Sequence, residues 1–395
     1  VALTDFKPQF DNAYQEIFNK VLVAKKIANF RFEPVLKFGE SVERVLFDIS
    51  GVLVRDVVRG SASTIDAVTD SSELLTINFE KEAVFHISDG EVKQAGPLNP
   101  GEAIGGQLAI KVAAKFDAAV LSETLNAAYD FDTGDLTTLS SNGTPFALDA
   151  TNTPLAITRM KAKLIHYNNQ TLTNLVWVLD PYSAADLEQY LLGKSIDLAG
   201  YVFTNGYAGD VSGAEIFVSS NLTYTAVLTA SDVFVNTQTV VIEGITFTSV
   251  SSIGSTAGNF LIGTAAESLG YLANLINNPG TTSATQVALS AANQNIIKNL
   301  GLSAVATATT VTITGVGSGA LTLSETQTNV AWGSKTLHSY FGKKGGIDAV
   351  MQDVSEVDMR PTADRRGTNV FSSILGGYKT FTDGSKKFLD VLLAK

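Results

Sequence analysis

The sequence predicts an α+β chain in which one parent domain is interrupted by a small α+β insert. Three observations carry that reading. A long helical pattern from Pro100 to about Tyr129 follows a strand-rich stretch over residues 74–87. Strand and helix patterns then mix up to about residue 229. Residues 230–334 differ in kind: Thr, Ser, Ala, Gly and Asn dominate, Asp232, Glu243, Glu267, Lys298 and Glu325 are the charged residues, and the earlier composition returns afterwards.

A length of 395 residues is long for one hydrophobic core and suggests two or three domains. Hydrophobic content of 45% with 17% charged residues is that of a globular chain. A formal net charge of −11 argues against a surface built as a whole for nucleic acid, because phosphate contacts need clustered Lys and Arg. A locally basic inner face stays open. The absence of cysteine excludes disulfides and thiolate metal sites, so stability must come from packing and association. No run of about 18 apolar residues predicts a membrane-crossing helix. The start, Val1 to Asp5, lacks the basic-then-apolar pattern of a secretory signal, and the missing initiator Met suggests processing by an aminopeptidase or a maturation protease.

Residues 1–58 read as an arm with helical pieces. Phe6, Phe10, Tyr14, Ile17, Phe18 and Val21 share one helical face, and Pro34 ends that pattern. Ser41–Val58 alternates imperfectly and carries Arg44 and Arg55; it reads as an amphipathic helix or as an arm over a neighbouring subunit. Residues 59–100 are expected to form a long β-hairpin, with Leu74–Ile87 as strand and Ser88–Glu91 as turn. A two-stranded ribbon is marginal alone in water, so it needs a surface to lie on, and another subunit is the natural one.

Pro100 then opens the longest helix, with Ile104, Leu108, Val112, Phe116, Val120, Leu121 and Leu125 at steps of three and four. A Gly/Ser/Thr/Asn-rich loop spans about residues 133–153, and a helix is expected over Leu155–Asn168. A strand over Leu172–Leu179 leads to a helix from Ala184 to Leu192 capped by Ser183, and Ala214–Val218 is a further strand. In the insert, Thr239–Ile242 and Ile245–Thr248 flank a tight Glu243-Gly244 turn. Helices follow at Ala265–Asn277 and Gln286–Leu300, then strands at Ala304–Thr314 and Ala320–Leu323. Together these read as a complete inserted domain. Domain insertion at a loop tip costs little closure entropy.

Chemistry is sparse. His86, His166 and His338 fall in different elements, and ligation or a catalytic triad would need them to converge with carboxylates. Neither a GxSxG elbow nor a GxxxxGK[ST] loop occurs, and Gly315-Val316-Gly317-Ser318-Gly319 joins two strands without opening a helix. The expectation is a protein that is not an enzyme and holds no cofactor or metal. Arg360, Arg365 and Arg366 form a small basic cluster, read either as a solvated loop or as inter-subunit pairing with Glu80, Glu82 and Glu91 on a neighbour's hairpin.

The order of arm, long hairpin, spine helix, α/β domain and C-terminal return resembles the Hong Kong 97-type fold of tailed-bacteriophage major capsid proteins. The stretches Val176–Pro181, Gly206–Ile216 with Ser219–Leu222, and Gly376–Phe381 are similar to recurrent coat-protein segments. The resemblance implies an arm over 1–58, an E-loop over 59–100 and a peripheral domain with spine helix over 101–154. It places an axial domain over 155–229, resuming at 335–395 with the return to the peripheral domain, around an insert over 230–334. It further implies hexamers and pentamers of an icosahedral shell assembled in the bacterial cytoplasm around double-stranded DNA, with no membrane. Scaffolding, portal and decoration proteins are the implied partners. Some relatives crosslink through an E-loop lysine, and Lys81 and Lys93 supply that residue type. An encapsulin-type nanocompartment is the alternative within the fold, and a carbohydrate-binding adhesin acting through the insert is the alternative outside it.

Overall fold

The computed structural model describes residues 22–34, 36, 39–48, 52–56, 59, 65–88, 100–168, 173–192, 207–211, 213–316, 322–354, 358–361 and 366–394. The helix expected over Phe6–Val21 lies outside them, as does most of the turn expected at Ser88–Glu91. The architecture is α+β. Two compact units divide the chain: residues 28–113 with 345–384, and residues 22–27 with 114–344 and 385–394.

In the first unit, β1 (Ser41–Asp48) pairs antiparallel with β2 (Thr69–Thr76) as a two-stranded ribbon, Ser41 opposite Thr76 and Asp48 opposite Thr69. The chain then changes sheet. β3 (Phe79–Ile87) pairs along β19 (Thr368–Lys379), whose other edge carries β17 (Asp348–Val354) and β18 (Asp358–Pro361). The hairpin expected over 59–100 is therefore corrected: the ribbon is built from 41–48 and 69–76, and the segment read as an amphipathic helix supplies its first strand. The reason is period. Ser41, Glu43 and Val45 are exposed while Val42, Arg44 and Leu46 are half-buried, and a two-residue alternation suits a strand. The break falls at Ile77, whose N–H donates to Glu40 O at 2.8 Å. There Gly377 of β19 passes so close to Thr76 that any side chain on it would collide with the Thr76 carbonyl.

α2 (Pro100–Ser122) is 23 residues long, about 35 Å at 1.5 Å per residue, and a 3₁₀ turn over Glu123–Asn126 ends it before Tyr129. The division between the units falls within its sequence span.

The second unit is organised by a ten-stranded mixed sheet. Its spine is β16 (Thr336–Lys343), buried from Leu337 to Gly342. One edge of β16 carries β20 (Phe388–Ala394), which pairs in parallel with β4 (Asp130–Phe131). The other edge carries β8 (Thr223–Ala230) and then β5 (Leu175–Leu179), followed by β7 (Ala214–Val218) and β6 (Tyr207–Val211). Trp177 is 1% exposed, and its indole N–H donates to Ser339 Oγ at 3.0 Å, tying β5 to β16. α3 (Asn152–Asn168) and α4 (Pro181–Leu192) flank this sheet's strands in sequence. Asp180, not Ser183, caps α4: its carboxylate accepts the Tyr182 and Ser183 N–H groups at 3.2 and 3.1 Å, and Pro181 takes the first helical position.

The insert is not a self-contained layer. The single strand expected over Ala304–Thr314 is two, β12 (Ser303–Ala306) and β13 (Thr310–Val316), and β13 pairs along the whole of β8. β15 (Val330–Trp332) pairs with β8 as well. β9 (Thr239–Ile242), β10 (Ile245–Val250), β11 (Asn259–Leu261) and β14 (Leu323–Glu325) form a separate four-stranded sheet. The expected Glu243-Gly244 turn is present with φ of 52° and 74°, the handedness of a tight two-residue hairpin. Glu243 tolerates it because its backbone and side chain both bond Thr322. α5 (Ala265–Asn277) starts on a Thr264/Glu267 capping box, and α6 (Ala291–Leu300) starts at Ser290, shorter than the helix expected from Gln286.

The N-terminal segment is fastened by one carboxylate. Asp117 of α2 accepts the N–H groups of Val23 and Ala24 at 3.0 and 2.8 Å, at the start of α1 (Ala24–Ile27), while Leu22, Ala24 and Ile27 are buried. Burial pushes the Asp117 carboxyl up to about 7, against the lowering effect of those two N–H donors. The folded chain thus binds a proton that the unfolded chain releases at ordinary carboxylate pH. The resulting stability is full at about pH 4 and is lost as pH rises to about 7, by up to ~4 kcal/mol. Asp117→Asn is expected to remove that part of the slope. Urea midpoints of wild type and variant that run parallel from pH 4 to 7 would contradict it.

Candidate inter-subunit surface

Within the first unit the ribbon has a firm base and an uncovered outer part. Leu75 of β2 is fully buried with Leu36, Val350 and Phe381, and Val42 and Ile77 pack on the same cluster. Polar contacts close around it. Arg44 pairs with Asp383 at 2.6 Å while its guanidinium lies 5.1 Å from the centre of the Phe381 ring. Glu73 accepts the Thr382 hydroxyl at 2.5 Å and its N–H at 3.1 Å, and Lys379 Nζ donates to Leu74 O at 2.9 Å. Gln352 Nε2 donates to the carbonyls of Leu36 and Gly39 at 2.7 and 2.8 Å.

Beyond the paired strands, residues 52–56 and 65–68 stay side by side. Arg55 grips Asp66 with both guanidinium nitrogens at 2.6 and 2.7 Å, and the Leu53 N–H donates to the same carboxylate at 2.9 Å. Asp66 is held below the usual carboxylate range by Arg55 first and by the Leu53 N–H second. This clip holds the two segments in register while leaving their side chains bare. Val54 is 103% and Ile65 93% exposed, and Val45, Val52, Leu53, Val68 and Leu74 are exposed too. Covering a large aliphatic side chain is worth about 1.5–3 kcal/mol. Five of the seven are only about half exposed, so covering them all corresponds to roughly 7 kcal/mol or more, before the cost of ordering a partner. Clustering of this kind marks an interaction surface.

Glu80, Lys81 and Glu82 are exposed on β3, in register with Leu375, Ile374 and Ser373 of β19. Arg360 lies on β18 opposite Asn369, its guanidinium 5.4 Å from the centre of the Phe371 ring, and Arg366 is exposed. β3 and β18 flank opposite edges of β19, and Glu82 and Glu80 stand four and six residues along it from Arg360, about 13 and 20 Å. Glu91, Lys93 and Arg365 lie outside the described residues. The apolar ribbon was missed in the sequence. Its signal was two alternating runs around Gly60-Ser61-Ala62-Ser63, with Arg55 and Asp66 placed to close on each other.

The second unit holds one constellation with the order of a nucleophile, a base and an orienting acid. Thr225 Oγ1 is 2.9 Å from His338 Nε2, and His338 Nδ1 is 2.6 Å from Asp390 Oδ2. Thr225 sits in the middle of a strand with β13 on one edge and β16 on the other. Its neighbourhood's N–H groups serve those ladders, which leaves no pair of donors to stabilise an oxyanion. Among the described residues no group of three or more His, Asp and Glu is placed to hold a metal. Nor, among them, is any helix long and apolar enough to cross a membrane.

No protein-family model and no curated protein matches the sequence. Among solved structures, the chain is similar to one from Mycobacterium phage Che8 at 12% identity and a TM-score of 0.42, covering 93% of this chain and 90% of that one. The capsid structure of Cyanophage P-SCSP1u is similar at 11% identity and a TM-score of 0.45, over 90% and 84%. A virus-like particle from Pyrococcus furiosus is similar at 11% identity and a TM-score of 0.41, over 98% and 99%. None of these identities carries a residue from one chain to the other.

Base and outer ribbon should separate under mutation. Leu75→Ala is expected to destabilise the dissociated subunit by about 2–5 kcal/mol, as for a filled core position. Val54→Ser with Ile65→Ser should stay within about 0.5 kcal/mol. Equal losses in the urea midpoint would mean that the outer ribbon packs on its own subunit.

Proposed function

We propose that this chain is a shell-forming structural subunit, the major coat protein of a tailed bacteriophage in the Hong Kong 97-type arrangement. The observation that carries the reading is the anchored ribbon whose apolar side chains stand bare among the described residues of their own unit. In this reading the ribbon over 41–76, not 59–100, is the E-loop that lies across a neighbouring subunit, and α2 is the spine helix. The sheet around β5, β7 and β16 belongs to the axial domain.

Subunits assemble as hexamers and pentamers of a closed icosahedral shell, in which repeated weak contacts are multiplied by symmetry. Arg360, Arg365 and Arg366 pair across the subunit boundary with Glu80, Glu82 and Glu91, and Lys81 contacts the neighbour from the same strand. The shell encloses double-stranded DNA without sequence recognition, consistent with a net charge of −11. Assembly takes place in the host cytoplasm with scaffolding, portal and decoration proteins. The adhesin reading loses ground, because the insert extends the parent sheet instead of standing apart from it.

Negative-stain electron microscopy of the purified chain after size exclusion tests the proposal. Wild type is expected to give capsomers or closed shells, and Leu53→Ser/Val54→Ser/Ile65→Ser to remain small at the same concentration. A wild type that stays monomeric with a crowding agent and scaffold present, or a triple variant that assembles normally, would sink it.

A further inference from the structure

Lys163 of α3 and Asp135, in the loop after β4, form a buried pair 28 positions apart in sequence, 2% and 0% exposed, with Nζ 2.6 Å from Oδ2. The loop is folded to present Asp135. Asp132 accepts the N–H groups of Gly134, Asn142 and Gly143 at 2.9, 2.6 and 2.5 Å, which ties the two ends of residues 132–143 together. Lys163 Nζ also donates to Ser141 Oγ at 2.7 Å and to the Asp130 carbonyl at 2.5 Å, and it lies 6.0 Å from the centre of the Phe131 ring. Arg159, four residues earlier on α3, reaches the backbone carbonyl of Asp135 at 3.5 Å.

The two oxygens of the Asp135 carboxyl stand in different surroundings. Oδ2 accepts from Lys163 Nζ, from the Asp132 N–H at 3.1 Å and from the Ser141 hydroxyl at 2.9 Å. Oδ1 is buried and has no hydrogen-bond partner among the described residues. A nitrogen 2.6 Å from Oδ2 stands roughly 3–3.5 Å from Cγ, the separation of a near-attack arrangement. The Asp132 N–H and the Ser141 hydroxyl are aimed at the oxygen on which charge develops when Cγ is attacked. Burying an ion pair is costly, and a neutral product would remove that cost. The Asp130 carboxyl interacts with both Lys163 and Asp135 and is raised above the usual carboxylate range, by burial first, which suits it to carry protons between them.

We propose that Lys163 and Asp135 condense into an intramolecular amide that staples the loop over residues 132–143 to α3. The Nζ–Cγ bond forms and the Cγ–Oδ1 bond breaks. Of the three ammonium hydrogens, one stays as the amide N–H and two leave with Oδ1 as water. The charges of the ammonium and the carboxylate cancel, so no oxidant, metal or second substrate enters the balance. Asp130 takes up and returns protons and ends unchanged. The amide N–H keeps the Asp130 carbonyl as its acceptor, Oδ2 keeps the donors of Asp132 and Ser141, and Arg159 keeps a positive charge at the loop after Lys163 is neutralised. Like any crosslink between distant positions, the bond restricts the unfolded chain and so favours the folded one. It uses neither Lys81 nor Lys93 and joins no second chain.

Mass spectrometry of the purified full chain, denatured before measurement, tests the staple and does not depend on assembly. Wild type is expected to be lighter than its sequence by one water. Trypsin is expected to leave residues 116–159 joined to residues 162–194, because an acylated Lys163 is no longer cut. Lys163→Arg is expected at its full mass, with the two segments separate. Wild type at its full sequence mass, with residues 164–194 released alone, would overturn the staple. So would a loss of water that persists in Lys163→Arg, or a linked peptide that appears only in covalent dimers. The wild-type mass and linked peptide decide the matter even where the variant does not fold.

Discussion

The pairing of β16 with strands drawn from distant parts of the chain is the constraint on which the larger unit depends. β16 holds β20 along one edge and both β8 and β5 along the other, so three separate segments become neighbours through eight residues. Gly342 permits the approach, because a side chain there would run into the Phe388 backbone. Buried from Leu337 to Gly342, β16 cannot shift register by one residue without turning His338 and Tyr340 to the wrong face. The Trp177–Ser339 hydrogen bond, and the onward donation from Ser339 Oγ to Val178 O at 2.5 Å, fix that register with buried polar groups, which are costly to leave unpaired.

From this follows the status of the insert. β8 lies between β13 on one edge and β16 with β15 on the other, so the insert supplies the whole of one edge and part of the other. Removing the insert would bare an edge running the length of β8, the kind of unpaired edge that invites aggregation. The outer boundary is closed differently. β12 ends the sheet, and Asn277 of α5 bonds both the N–H and the carbonyl of Ala304 at 2.9 and 2.8 Å, occupying the backbone groups a further strand would need. β12 is thus a blocked edge, whereas the ribbon leaves apolar side chains bare.

What could be read from the sequence was local. α5 was legible to the residue, because Thr264 and Glu267 mark its start and its apolar spacing is regular. The Glu243-Gly244 turn and the β5 strand were legible for similar reasons, with residues two to four apart deciding the outcome. The ribbon was not. Leu74–Ile87 reads as one strand by alternation, and nothing within it says that Leu75 belongs with Val42 and Phe381 while Phe79 belongs opposite Gly376. The choice is made by residues nearly 300 positions away. Likewise, nothing near His338 announces Asp390 or Thr225, which are 52 and 113 positions distant. The assembly residues named in advance were chosen for charge, whereas the surface that stands out is apolar and clipped by a single ion pair.

Base and outer ribbon assign different physical jobs to adjacent residues. A ribbon mobile at its root would lose, on docking, the conformational freedom of every residue it orders, and that entropy would offset much of the gain from covering Val54 and Ile65. Arg44, Glu73, Lys379 and Gln352 remove that freedom in advance by fixing the root to the subunit's own core. The Arg55–Asp66 clip does the same further out, where no packing is available to do it. An exposed ion pair contributes little to stability. Its value here is to keep residues 52–56 and 65–68 side by side while their apolar side chains remain free. Preorganisation of this sort turns a modest apolar area into usable association energy, and the proposed shell, repeating each contact by symmetry, would benefit from it at every copy.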